Sequence, residues 1–143
     1  MSHLRYYNYE KQGVEMNKNF YFSQAVRVGD YIESSGQGGW DPTTGKLAPD
    51  AVTQIEQAFA NVERCLRDAG GKGWSQVFKV QTFHVGLDEA TCQAVVRCLK
   101  KYMPDHQPTW TCLGIKNLAL EEMLAEVQVV AHDPEGAKVA ESA

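Results

Sequence analysis

Apolar residues recur along this chain with two different periods, and the switches between them lay out the elements. From Phe20 to Val28 the period is two. Phe20, Phe22, Val26 and Val28 share one side, with Gln24 as the exception, and Ser23, Ala25 and Arg27 share the other. Gly29-Asp30 is a two-residue loop of the kind that closes tight hairpins, so a return strand is predicted over Tyr31 to Gly36. Gly36 to Gly45 is a long loop of turn formers. The period then becomes helical. Behind Asp50 as N-cap, Val52, Ile55, Phe59, Val62 and Leu66 draw one apolar stripe, and Gly70-Gly71 stops it. Val77 to Val85 has strand composition. Asp88 caps a second predicted helix with Ala94, Val95, Cys98, Leu99 and Tyr102 on its buried side and Pro104 just beyond its end. Thr109 to Ile115 and Leu124 to Ala131 read as two final strands.

The resulting order, ββαβαββ, predicts an α+β fold: a mixed sheet with both helices on one face. The last strand has Ala125, Val127, Val129 and Ala131 on its apolar side, to be covered by helices, and Leu124, Glu126, Gln128 and Val130 on the other. That second side is either exposed to solvent or part of a subunit interface with a ligand cleft. The tyrosine-rich segment Arg5 to Glu10 reads as a short edge strand, within an N-terminal segment of residues 1–18. Residues 19–132 read as one domain, and the small, polar tail 133–143 is expected to fray.

At 143 residues the chain has the size of a single domain, and 43% hydrophobic residues suffice for one core. A net charge of −4 argues against a nucleic-acid partner, which calls for a basic surface. Lys100-Lys101 reads as a solvated helix face. No apolar run approaches a membrane span, and residues 1–18 contain no apolar signal core, so a cytoplasmic, reducing location with free thiols is expected. Cys65, Cys92, Cys98 and Cys112 form no C-x-x-C pair, and His3, His84, His106 and His132 have no ligand spacing. No metal and no cofactor is expected. Cys65, Cys92 and Cys98 read as small buried hydrophobes, and His84 as a satisfied core histidine.

Several segments, in order and spacing, resemble the RidA/YjgF family: Phe22 to Asp30, Ser35-Gly36-Gln37, Asp41 to Gly45, Gln57 to Val62, Phe78 to Phe83, and Pro108 to Gly114 with Glu126 downstream. The resemblance implies a chorismate-mutase-like homotrimer with clefts between subunits. It implies a small-molecule ligand and hydrolysis of reactive enamines and imines to keto compounds and ammonia. Non-catalytic ligand binding or regulation is the alternative, and endoribonuclease activity is disfavoured by the charge. The family's cleft residues fall on Ser35, Gly36, Cys112 and the water-orienting Glu126. The family tyrosine is Phe22 here, its asparagine falls at an apolar residue near Val96, and its carboxylate-holding arginine is Trp110. Tryptophan ahead of Thr-x-x-Gly resembles the YjgH-type subgroup.

These residues suggest a cleft with altered chemistry. Glu126 is the candidate catalytic base, or else a structural hydrogen-bond partner across an interface. Trp110 has one donor and no charge where arginine has a charged fork. With Phe22 it is either an aromatic wall suited to a neutral, aromatic or cationic ligand, or a packing residue at the subunit interface. Ser35 reads as a donor to ligand or backbone, and Cys112 as packing.

Overall fold

The computed structural model describes residues 1–143. Strands are β1 (Arg5–Tyr7), β2 (Ala25–Val28), β3 (Tyr31–Ser34), β4 (Gln37–Gly38), β5 (Val77–Val85), β6 (Thr109–Ile115) and β7 (Ala125–His132). Helices are α1 (Gln12–Phe20), α2 (Ala51–Asp68), α3 (Glu89–Tyr102) and α4 (Pro134–Ser142), with a 3₁₀ turn at Gly73–Gln76. One sheet runs β1-β2-β3-β7-β5-β6, with the short β4 also paired to β7. β5 and β6 are parallel and all other pairs antiparallel, so the sheet is mixed and β6 is an edge. No helix is long and apolar enough to cross a membrane.

The helical stripe does what its spacing predicts. Asp50 accepts from Thr53 N at 2.9 Å and starts α2. Ile55, Phe59, Val62 and Leu66 then bury completely against Ile32, Val80, Val127 and Val129. Phe59 stacks on Trp74 at 4.6 Å, and the Trp74 indole N–H donates to Phe59 O at 2.9 Å. Truncating Phe59 would cost about 3–5 kcal/mol. Asp88 and Thr91 cap α3 reciprocally. The two sides of β7 part as their alternation predicts, Ala125, Val127, Val129 and Ala131 under the helices and Glu126, Gln128 and Val130 on the other face.

Two predicted strand bounds are corrected, and the structure sets which side of β2 faces the core. The strand predicted from Phe20 begins only at Ala25, because Phe20 ends α1 and Tyr21 turns the chain in the left-handed region at φ 58°. The side of β2 that enters the core is Ala25 and Arg27, while Val26 is half-buried and Val28 exposed on the open face. The return strand stops at Ser34 rather than Gly36, and the chain steps over to pair β4 with β7.

The tail does not fray. Asp133 caps α4, with Pro134 in the first turn, and it is buried with Arg27. Arg27 Nη2 donates to Asp133 Oδ2 at 2.8 Å and to Ala69 O at 3.0 Å, and Gln76 Nε2 donates to Asp133 Oδ1 at 2.9 Å. Burial raises the Asp133 carboxyl, but the bonds from Arg27, Gln76 and Gly136 outweigh it and leave the group below the usual carboxylate range.

The open face carries apolar surface. Tyr31, Phe78 and Leu113 are 45%, 41% and 41% exposed, and the Tyr31 ring meets Phe78 and His132 at 5.9 and 5.3 Å.

Candidate functional site

The candidate residues divide into two groups on opposite faces of the sheet. The first is built around Glu126. It sits on the open side of β7, paired with Gly38 on β4 and Phe83 on β5. Gly36 lies directly against its carboxylate: a Cβ at position 36 would collide with Oε1, Cδ and Cγ of Glu126. Any larger residue here would push the Glu126 side chain aside, so glycine permits the close approach. Phe22, Ser35, Gly36 and Glu126 line one cleft of about 350 Å³, a size suited to a small molecule. Its remaining wall is mostly apolar, with Met16 and Phe20 from α1, Trp40, Leu120 and Met123. Met16, Trp40 and Met123 form a small core of their own, separate from the main one.

The Glu126 carboxylate makes no side-chain hydrogen bond or ion pair, and burial raises its pKa above the ordinary 4.5. Nothing charged offsets that desolvation, so the group favours a proton or a donor supplied from the cleft. Ser35 Oγ donates to Ser23 O at 2.7 Å, so the hydroxyl proton serves the backbone.

A buried polar chain holds this wall. Trp40 Nε1 donates to Tyr9 Oη at 2.9 Å, Tyr9 Oη to Gln37 Oε1 at 2.9 Å, and Gln37 Nε2 to Gln24 Oε1 at 2.8 Å. Gln24 Nε2 ends on Met16 Sδ at 3.5 Å. Gln24, the exception in the apolar alternation, is thus a fully buried link in this chain. Asn61 Nδ2 clamps the β4 backbone through Gly38 O and Trp40 O at 2.9 and 2.8 Å. Gln54 anchors the segment that carries Met123, donating to Glu122 O and accepting from Leu124 N.

The second group lies on the helix-covered side of β6. Trp110 pairs with Val80 and Cys112 with Thr82, both residues whose side chains enter the core side. Trp110 packs against the main core and, with Val96, Leu99 and Met103, lines a groove of about 410 Å³. Its indole N–H donates to Thr82 Oγ1 at 2.9 Å. Thr82 Oγ1 also meets His84 Nε2 at 2.9 Å. Either imidazole tautomer satisfies that contact, because the threonine hydroxyl can both donate and accept. Nδ1 is buried without a partner, so His84 is only half satisfied, contrary to the expectation for a core histidine. Burial lowers the His84 pKa and keeps the ring neutral. Cys112 is half-exposed; burial raises its pKa, partly offset by a hydrogen bond with Thr82.

One chain therefore joins Phe22, Ser35, Gly36 and Glu126, and joins Trp110 with Cys112, but does not bring the two groups together. Sequence reasoning missed Met16, Phe20 as cleft residues, Trp40 and Thr82. The four-residue steps Gln12, Met16, Phe20 were the available signal for α1.

Comparison with known proteins agrees with this architecture. The endoribonuclease L-PSP family model matches residues 14–133. A RutC family protein of Aquifex aeolicus is 31% identical over 112 residues, covering 77% of this chain and 86% of that protein. A 2-iminobutanoate/2-iminopropanoate deaminase of Dermatophagoides farinae is 28% identical over 98 residues, covering 68% and 74%. The solved structure of protein YJGH superposes with a TM-score of 0.77 at 26% identity, covering 91% of this chain and 95% of that one. The chain belongs to the RidA/YjgF family, the endoribonuclease L-PSP family, and has its chorismate-mutase-like α+β fold.

Proposed function

We propose that this protein hydrolyses N-unsubstituted imines, or the enamines that give them, of apolar or aromatic carbonyl compounds to the carbonyl compound and ammonia, in clefts formed between copies of the chain in a homotrimer. The observation that carries the proposal is the unpaired, desolvated carboxylate of Glu126 held against Gly36 in an apolar cleft. Such a carboxylate can take a proton from water as the oxygen attacks the imine carbon. It can then return that proton to nitrogen as the carbon–nitrogen bond breaks. An iminium nitrogen is also a favourable partner for an otherwise unpaired carboxylate.

The trimer is supported by the apolar side chains on the open face, Tyr31, Phe78 and Leu113 among them. In that assembly the edge strand of one copy would bring its Trp110 and Cys112 to the Glu126 cleft of the next. Trp110 would offer a ring face and no charge, and its single donor is already committed to Thr82. The substrate class then shifts away from small α-imino acids, since no guanidinium stands at position 110 to bind a carboxylate. The fold likeness to YJGH is in keeping with placement in a YjgH-type subgroup.

A second reading, non-catalytic binding of an aromatic amine, is favoured by the same Trp110–Thr82 bond. Turnover separates the two. Ammonia release is measured from enzymatically generated 2-aminoacrylate and from an imine of an aromatic ketone. Faster turnover of the aromatic imine, with 2-aminoacrylate hydrolysis gained in Trp110→Arg, is expected. Binding of both without ammonia release would leave only the binding reading. Rapid hydrolysis of 2-aminoacrylate by the unaltered protein would overturn the substrate assignment.

A further inference from the structure

Lys100 and Lys101 are neighbours in the last turn of α3, but the structure treats them differently. Lys101 Nζ lies over the ring of Tyr102, 5.2 Å from its centroid. Lys100 lines the groove of about 410 Å³ that Trp110 walls, and it makes no ion pair. Much of that groove is apolar, with Val96, Leu99, Met103 and Trp110 on its walls. Its histidine, His106, spends the Nε2 proton on Val77 O at 2.7 Å, since a carbonyl only accepts. No carboxylate lines the groove; Asp105 is exposed and stands outside it. In a chain of net charge −4, this cavity thus presents an uncommitted ammonium beside apolar walls with no counter-charge. A ligand that complements it carries a negative charge on an apolar body.

We propose that the Trp110 groove seats an aromatic carboxylate, its ring against the indole and its carboxylate on the Lys100 ammonium. As a statement about substrate this rests on the hydrolysis proposed above: the compound is an imine of an aromatic carbonyl compound that carries a carboxylate on the ring. The indole supplies a flat apolar face, its one donor already taken by Thr82. The ammonium offers three donors on a flexible stem and can follow a carboxylate at the groove mouth. Lys100 is exposed, so the pairing is screened by salt. In the trimer, Lys100 and Trp110 would come from one copy and Glu126 from the next. The carboxylate is then held across the cleft from the carbon that water attacks, unlike that of an α-imino acid, which adjoins the reacting carbon.

The test compares two ketones of the same shape, para-acetylbenzoate and its neutral amide para-acetylbenzamide, binding to the full-length protein at low ionic strength by ligand-observed NMR. The benzoate should bind about three- to fivefold more tightly, the size of an exposed ion pair. Lys100→Gln should abolish that preference, Lys100→Arg should keep it, and Lys101→Gln should leave it unchanged. Salt at about 1 M should shrink it. Equal affinity for the two ketones, or no binding of either, would overturn the proposal. So would a preference that survives in Lys100→Gln or is lost equally in Lys101→Gln. None of these readings needs turnover. A preserved preference without ammonia release from the imine of para-acetylbenzoate would remove the hydrolysis and leave the carboxylate seat; ammonia release with equal affinities would do the reverse.

Discussion

Glu126 and Trp110 occupy opposite faces of one sheet, separated by β5, and they handle their polar groups in opposite ways. Around Glu126 the hydrogen bonds go to the walls: Trp40, Tyr9, Gln37 and Gln24 satisfy one another, and the carboxylate is left without a protein partner. Around Trp110 the polar atom itself is satisfied, by Thr82, and what remains outward is ring. The first arrangement keeps a carboxylate in a desolvated position at a cost in stability. The second supplies shape and an apolar face. A ligand spanning both in the proposed trimer would place its nitrogen at Glu126 and its apolar body at Trp110.

That contrast can be broken from either side. Gly36→Ala carries the largest expected effect, because the added Cβ must displace the Glu126 carboxylate. Hydrolysis should fall by about 100-fold or more while the fold persists, since positioning errors of about 1 Å carry penalties of that size. Circular dichroism and ammonia-release rates measured on the same samples check this. A variant of unchanged rate would show that close approach at position 36 has no bearing on the chemistry.

On the other side, Trp110→Phe keeps a ring and removes the donor. Thr82 then loses one hydrogen-bond partner, and stability should drop by about 1 kcal/mol in urea unfolding. Affinity for an aromatic amine should change less than threefold. A tenfold loss would mean that the indole N–H, not the ring face, meets the ligand.

The smallest effect is a pH dependence of stability. Glu126 has a folded pKa raised above its ordinary 4.5. Below 4.5 both folded and unfolded states hold the proton. As pH climbs from 4.5 to the raised folded value, the unfolded chain releases its proton first, and the folded state loses stability relative to the unfolded one. Glu126→Gln, which cannot ionise, should gain in Tm relative to the unaltered protein across that window and keep the gain above it. A Tm difference that does not change with pH would contradict the desolvation of this carboxyl.

Much of the fold was legible because burial imposes period. The bounds of β5, the α2 stripe and the in–out alternation of β7 follow from residues whose side chains face a core. α1 was not legible for the converse reason. It contains Gly13, Asn17 and Asn19, weak helix formers, its N-cap Lys11 makes no side-chain cap, and only Gly13 and Met16 are buried. Its support is tertiary: Met16 packs with Trp40 and Met123. α4 buries only Ala137, and its composition obscured the Asp133-Pro134 start signal and the Arg27 partner far away in sequence. Reading Val26 and Val28 as an apolar side was sound, but that side faces out, because the open face is itself apolar. At the site, the alternation of β7 placed Glu126 away from the helices. It could not show that Trp110 faces the other way, since β6 is an edge strand exposed along much of its length.

The most direct measurement is the rate of ammonia release from an aromatic imine by the unaltered protein and by Glu126→Gln, with imine affinity recorded in parallel. The account predicts a rate lower by about 10²–10⁴ in Glu126→Gln with the ring-directed affinity largely kept. Equal rates in the two proteins would contradict it.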